Sequence, residues 1–450
     1  MTDRPAEPTP ADEVDLDRRS FFRTFGRNAV MAAGQVVGAA DVLRRGAGVT
    51  DPEALTDEPD PGAMRKDART RGPSSAPLGA RSGSAPFRSP YRLVDDGLIL
   101  VDQRELPEAI VELTCRDGRD VARAMRDGSV SGAPVLGQVA AYAMALTARR
   151  HAARRPGALH MELETANEHL RRWRPSARPV HAALERIANR RSALPEDTAA
   201  DVLADVLRAE ADAIASEAAS DHAALARHAA AILPRPVDRP LELLVHGSTG
   251  AMGGGLVGTC LAVVQLIAAE GRPVHVWLTE TRPTLEGARV AAWELRQAGI
   301  AHTVIPDGAV AWLITRHPPD AALLGAEWLT ASGDAAVISG GAAVAALCAT
   351  LAAPPVPVVL CAPLSTYDAT TPDGSAIPDE LWSRRQLKPD GPRRPNAGPE
   401  LRAPVVDVVD ARWLTAIVTE EGVTGPPFGP ALTAASDARG RRLAHPVAGH

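Results

Sequence analysis

The sequence predicts an α/β protein: a helical N-terminal domain followed by a Rossmann-like parallel-sheet C-terminal domain. Three observations predict it. From about residue 105 to 235 the pattern is alanine-rich and amphipathic, with glycine and proline sparse inside the long stretches. After Pro240, short apolar runs alternate with helical stretches, as strand–helix repetition requires. Where the first run meets the first helical stretch lies a glycine cluster, LLVHGSTGAMGGGLVGT, residues 243–259. The 450 residues allow two or three domains. With 45% hydrophobic but only 3% aromatic residues, the core must be mostly aliphatic.

Taken in order, residues 1–87 read as disordered, being acidic and Pro-rich at first and Gly/Ser/Pro-rich later. Within them, residues 17–46 carry Arg18-Arg19-Ser20-Phe21-Phe22, which resembles a twin-arginine export signal. Arg27, Asn28 and Gln35 interrupt the apolar stretch, and no clear small-x-small cleavage site follows. An amphipathic helix bearing Phe21, Phe22, Phe25, Val30 and Met31 is the favoured reading, a docking element for a protein or a membrane surface. Residues 88–238 form the next unit: a hairpin turning at Asp95-Asp96-Gly97, then the helical stretches. Residues 239–425 form the Rossmann-like unit, and residues 426–450 read as a flexible tail.

Composition narrows the function. A net charge of -6 argues against nucleic acid, which needs a basic face. Cys115, Cys260, Cys348 and Cys361 form no CxxC pair and read as reduced thiols of a cytoplasmic protein. No apolar run approaches the ~20 residues that span a bilayer.

Right-handed crossovers bring the carboxyl ends of parallel strands to one edge, where ligands bind. Residues just after the apolar runs are therefore the candidates. Around Gly250, Gly253 and Gly254, backbone N–H groups and a helix dipole would cradle an anion. A tight strand-to-helix turn is the plainer explanation, since no Gly-Lys-Ser/Thr closes the segment and it is no clean GxGxxG. Glu280 and Arg282 would orient one another or hold a polar ligand, or else form a structural ion pair. Glu327 is a candidate general base if apolar neighbours such as Trp328 raise its pKa; otherwise it is an exposed loop acid. Ser365, Thr366 and Asp368 suit ligand contacts or helix capping.

These segments, in this order, resemble the methylthioribose-1-phosphate isomerase family. That family shares its fold with ribose-1,5-bisphosphate isomerase and the regulatory subunits of the eukaryotic initiation-factor guanine-nucleotide exchange complex. The likeness starts at LVDQRELP (100–107) and passes through VSGAPVLGQVAAYAMAL (130–146) and RWRPSARPVHAALERI (172–187). It continues through HGSTGAMGGGLVGT, TETRPTLEGARVAAWEL, GAEWLTASGD and APLSTYD to WLTAIVTEEGV (413–423).

The resemblance implies a dimer that isomerises an aldose 1-phosphate to a ketose 1-phosphate without metal or nicotinamide cofactor. Its acid/base pair is a cysteine and an aspartate, and arginines, backbone amides and a lysine hold the phosphate. In this chain the cysteine's place is taken by Gly247 and the neighbouring asparagine's by Ser248. The aspartate becomes Glu327, the arginine after it Trp328, and the arginine before Gly-Ala-Pro Ser131. The asparagine–lysine pair becomes Val337-Ile338, while Arg174, Glu280, Arg282, Asp334 and the glycine turn survive. The expectation is a diverged isomerase-like homodimer with altered or reduced catalysis. It would bind a small phosphorylated metabolite through Arg174, Gly250, Gly253, Gly254, Glu280, Arg282 and Asp334, with Glu327 as base. The alternative is a non-catalytic regulatory or binding protein.

Overall fold

The computed structural model describes residues 89–382 and 402–444, apart from Asp96 and Glu196. The readings placed on residues 1–87 lie outside the described residues. Strands β1 (Tyr91–Val94) and β2 (Gly97–Val101) pair antiparallel, Tyr91 opposite Leu100, as the hairpin pattern requires. A third strand, β3 (Glu112–Cys115), pairs with β2 inside the stretch that reads as helical. Four residues are too few to break a helical pattern in the sequence, and only pairing to β2 makes them a strand.

The helical domain follows: α1 (Gly118–Asp127), α2 (Ala133–Arg150), α3 (Pro156–Trp173), α4 (Arg178–Ser192) and α5 (Ala200–Ile232). Asp117 caps α1 by accepting from the Arg119 and Asp120 N–H groups. Helix α2 is buried almost all round, which is why its sequence is apolar without a polar face. Helix α5 has 33 residues and so runs roughly 50 Å. Its first half (Ala204, Leu207, Ala211) packs in the helical core and its second (Ala223, Leu225, Ala226, Ala229) beneath the sheet. One helix thus ties the two cores together.

The main sheet has the order β14-β13-β10-β7-β4-β5-β6. Its members are β4 (Leu241–His246), β5 (Val274–Thr279), β6 (Ala301–Ile305), β7 (Ala321–Gly325), β10 (Val358–Cys361), β13 (Ala416–Thr419) and β14 (Gly422–Thr424). All neighbours are parallel except β13 and β14. A second sheet, order β11-β8-β9-β12, is built from β8 (Trp328–Thr330), β9 (Ala335–Ile338), β11 (Tyr367–Asp368) and β12 (Val406–Val409). The chain runs from β4 outward to β6, then returns to β7 on the other side of β4. The direction of winding therefore reverses between β4 and β7, the place where parallel sheets open a ligand crevice.

Residues 428–444 are not a loose tail. Phe428–Ala444 is a helix, α6, with Phe428 and Leu432 buried. Arg439 reaches Glu420 at 2.8 Å and Asp221 at 2.9 Å, and Arg442 reaches Asp221 at 2.9 Å. Gly429, Pro430, Gly440 and the thin apolar stripe hide the helix in the sequence. Tertiary ion pairs hold it rather than helix propensity. Among the described residues, no helix is long and apolar enough to cross a membrane.

Candidate functional site

A cavity of about 40 Å³ opens at the switch point. The loop after β4 (Gly247, Ser248, Thr249) and the turn after β7 (Gly325 to Glu327) form two of its walls. Gly132 to Pro134, Glu286, Val337 and Ile338 close the rest, so the helical domain covers the mouth of the sheet.

His246, fully buried, ends β4. Its Nε2–H donates to the Ile338 and Ser339 carbonyls, 3.1 Å each, and its Nδ1 accepts from Thr279 Oγ1 at 2.8 Å. Burial lowers its pKa. With both nitrogens engaged, the neutral ring is a strut between β4 and the end of β9, not a base. Next comes Gly247, at φ 88°, donating its N–H to Thr281 Oγ1 at 3.2 Å. A Cβ there would stand 2.8 Å from Ile338 Cγ2. Ile338 thus fills the space beside Gly247.

The glycine turn serves a different group from the anion expected of it. Ala251 N–H and Met252 N–H donate to the Glu294 carboxylate at 2.7 and 3.2 Å. A methyl group on Gly250 would overlap that carboxylate, so Gly250 is bare to let Glu294 in, and it does not line the cavity. Gly253 and Gly254 do line it. Burial pushes the Glu294 carboxyl up to about 7, against the pull of the two N–H groups. Upstream, the N–H groups of Ser248, Thr249 and Gly250 donate to no acceptor among the described residues. The hydroxyls of Ser248 and Thr249 are likewise buried and unpartnered.

Glu327 lies on the opposite wall, 8% exposed. Its Oε1 accepts from Ala133 N–H at 3.2 Å and its Oε2 from Arg174 Nη2 at 2.8 Å. Burial raises its pKa and the Arg174 guanidinium opposes that. Arg174 sits in the α3–α4 turn, 2% exposed, and its Nε also faces Glu380 Oε1 at 3.0 Å. Two carboxylates thus share its charge, and it does not line the cavity. Trp328, after Glu327, packs on His181 and under Arg178.

The other expected contacts lie elsewhere. Arg282 is exposed, Glu280 is half-buried, neither lines the cavity, and they form no ion pair with each other. Asp307 instead fixes their loop by accepting from the Thr281 and Arg282 N–H groups at 2.9 and 2.7 Å. Asp334 ties two loops together by accepting from Gly374 and Ala411 N–H at 3.0 and 2.9 Å. Sequence reasoning passed over Glu286, which does line the cavity, is 7% exposed, and accepts no hydrogen bond among the described residues, its longer-range interaction being with the Arg174 that Glu327 and Glu380 already share. An acid buried six residues beyond the end of β5 leaves no periodic signal. Only its place in the ETRPTLEGARV stretch hinted at it. Among the described residues, no group of three or more His, Cys, Asp or Glu forms a metal cluster.

A helical region over the carboxyl edge of a parallel sheet, with carboxylates and a free-amide loop facing one cavity, defines an α/β protein with a crevice at the switch point of its sheet. Comparison with known proteins narrows that class. Residues 129–426 match the model of the Initiation factor 2 subunit family, and the chain belongs to that family. It is 36% identical to methylthioribose-1-phosphate isomerase of Herpetosiphon aurantiacus, covering 74% of this chain and 92% of that protein. It is 39% identical to the protein of that name from Anaeromyxobacter sp. strain K, covering 78% and 99%. Among solved structures, 5-methylthioribose 1-phosphate isomerase from Pyrococcus horikoshii OT3 superposes with a TM-score of 0.67 at 28% identity, over 78% of this chain and 96% of that one. Translation initiation factor eIF-2B subunit delta from A. fulgidus superposes with a TM-score of 0.62 at 26% identity, over 78% and 99%.

Proposed function

We propose that this protein binds a small sugar-derived metabolite in the switch-point cavity without carrying out the isomerisation for which its relatives are named. One observation carries the reading: the space beside Gly247 is filled by Ile338. The isomerases that this chain resembles use an acid/base pair, a cysteine and an aspartate. Glu327 supplies one carboxylate, already engaged by Arg174 and Ala133 N–H. No thiol supplies the other, because all four cysteines are buried and none lines the cavity. Absence of one such group costs ~10²–10⁴ in rate.

Binding is supported by the donors left over. The N–H groups of Ser248 and Thr249 and their two buried hydroxyls await the oxygen atoms of a ligand. A phosphate, as the resemblance suggests, would have to sit there without the arginine and lysine that hold it in the isomerases. A homodimer, a cytoplasmic location and docking through residues 17–46 belong to the same proposal. The test is turnover of methylthioribose 1-phosphate by the full chain. No ketose product above background is expected; product that disappears in Glu327→Gln would overturn the reading.

A further inference from the structure

We propose that the ligand of this cavity carries a protonated amine, held by Glu286. The inference rests on the reading of the cavity as a metabolite site and adds the ligand's chemical class. Glu286 faces the cavity at 7% exposure and meets no donor among the described residues. Arg174, the cation nearest by charge, has its Nη2 on Glu327 at 2.8 Å and its Nε by Glu380 at 3.0 Å. No arginine or lysine lines the cavity. His246 spends both nitrogens on Thr279 and the Ile338–Ser339 carbonyls.

Three carboxylates, Glu286, Glu327 and Glu380, thus stand against the single guanidinium of Arg174. Glu286 accepts no hydrogen bond and reaches Arg174 only at longer range, so a cationic ligand would supply the close partner that it lacks. A dianionic phosphate would add to the imbalance. The rest of the cavity suits a polyol: amides and hydroxyls at Ser248 and Thr249 for its oxygens, and Val337, Ile338 and Ala326 for its carbon face.

The experiment is isothermal titration of the full chain with three matched probes: ribitol, 1-amino-1-deoxyribitol and ribitol 5-phosphate. The amine is expected to bind about tenfold or more tighter than ribitol, the range of one charge-assisted hydrogen bond. In Glu286→Gln that advantage should fall to within about twofold, and Glu286→Asp should retain part of it. An amine no better than ribitol, or an advantage that survives Glu286→Gln, overturns the proposal while leaving the cavity a metabolite site. Tightest binding by the phosphate, unchanged in Glu286→Gln, does the same. Failure of all three probes to bind overturns the cavity reading and this inference with it.

Discussion

Glu286 and Glu294 lie eight residues apart on one helical stretch and are both buried, at 7% and 2% exposure. Between them is a π-helical turn, Gly287–Ala291, of the kind that recurs at functional sites. Glu294 receives two backbone N–H groups and completes the start of the Ala251–Gly254 helix. Glu286 receives none and faces a cavity. A buried carboxyl group with donors is structure; one that lines a cavity and accepts no hydrogen bond is open to a donor from outside the chain. The difference also explains why a glycine-rich turn need not mean a bound anion. At Gly250 the group that the turn receives is a side chain of the protein itself, the Glu294 carboxyl.

The same contrast extends to Asp221 and Glu420, buried acids held by Arg439, and it can be broken by removing donors. Arg439→Ala gives the largest expected effect. It strips the charged partner from Glu420, which keeps only the Leu364 N–H, and one of two arginines from Asp221, and should lower the unfolding free energy by about 3 kcal/mol or more. Urea unfolding of the two proteins measures it. A loss below about 1 kcal/mol would show that α6 is held chiefly by Phe428 and Leu432.

Glu294→Gln comes next, at about 1–3 kcal/mol, because one oxygen remains and the amide NH2 faces a backbone donor. This variant also has a pH signature. Folded Glu294 keeps its proton up to about pH 7, whereas the unfolded chain releases it in the ordinary carboxylate range. The folded state holds more protons in that window, so Glu294 makes stability fall as pH rises towards 7. Glu420, also pushed up to about 7 by burial, shares the window. The difference between wild type and Glu294→Gln isolates the first group, and parallel pH profiles would contradict the assignment.

Gly247→Cys should cost about 1–3 kcal/mol, from left-handed backbone strain and contact with Ile338. Adding Ile338→Ala should return about 1 kcal/mol of that. Strictly additive losses in the double variant would mean that the two positions are not coupled.

Much of the fold was legible because it rests on periodicity. The strand–helix alternation after Pro240 marks the parallel strands β4, β5, β7 and β10, and the hairpin at β1–β2 declares itself by its turn. Strand β3 and helix α6 escaped because they depend on partners distant in sequence, β2 for one and Asp221 and Glu420 for the other. At the site, Glu327 was legible as a strand-end acid and Gly247 as the first residue of the loop after β4. The occupant of the glycine turn was not, because Glu294 reaches it across 43 residues of chain. Glu286 was not either, since being unpartnered is a property of three-dimensional surroundings and leaves no pattern along the chain.

The smallest stability change tests the central claim most directly. Glu286→Gln and Glu294→Gln make the same substitution in the same stretch, so urea unfolding of both against wild type compares a carboxyl group that accepts backbone hydrogen bonds with one that accepts none. Stability of Glu286→Gln is expected to be unchanged or higher by up to about 1 kcal/mol, while Glu294→Gln falls. A fall in Glu286→Gln as large as that in Glu294→Gln would mean that Glu286 already has its partner inside the free protein, and that the cavity asks nothing of a ligand there.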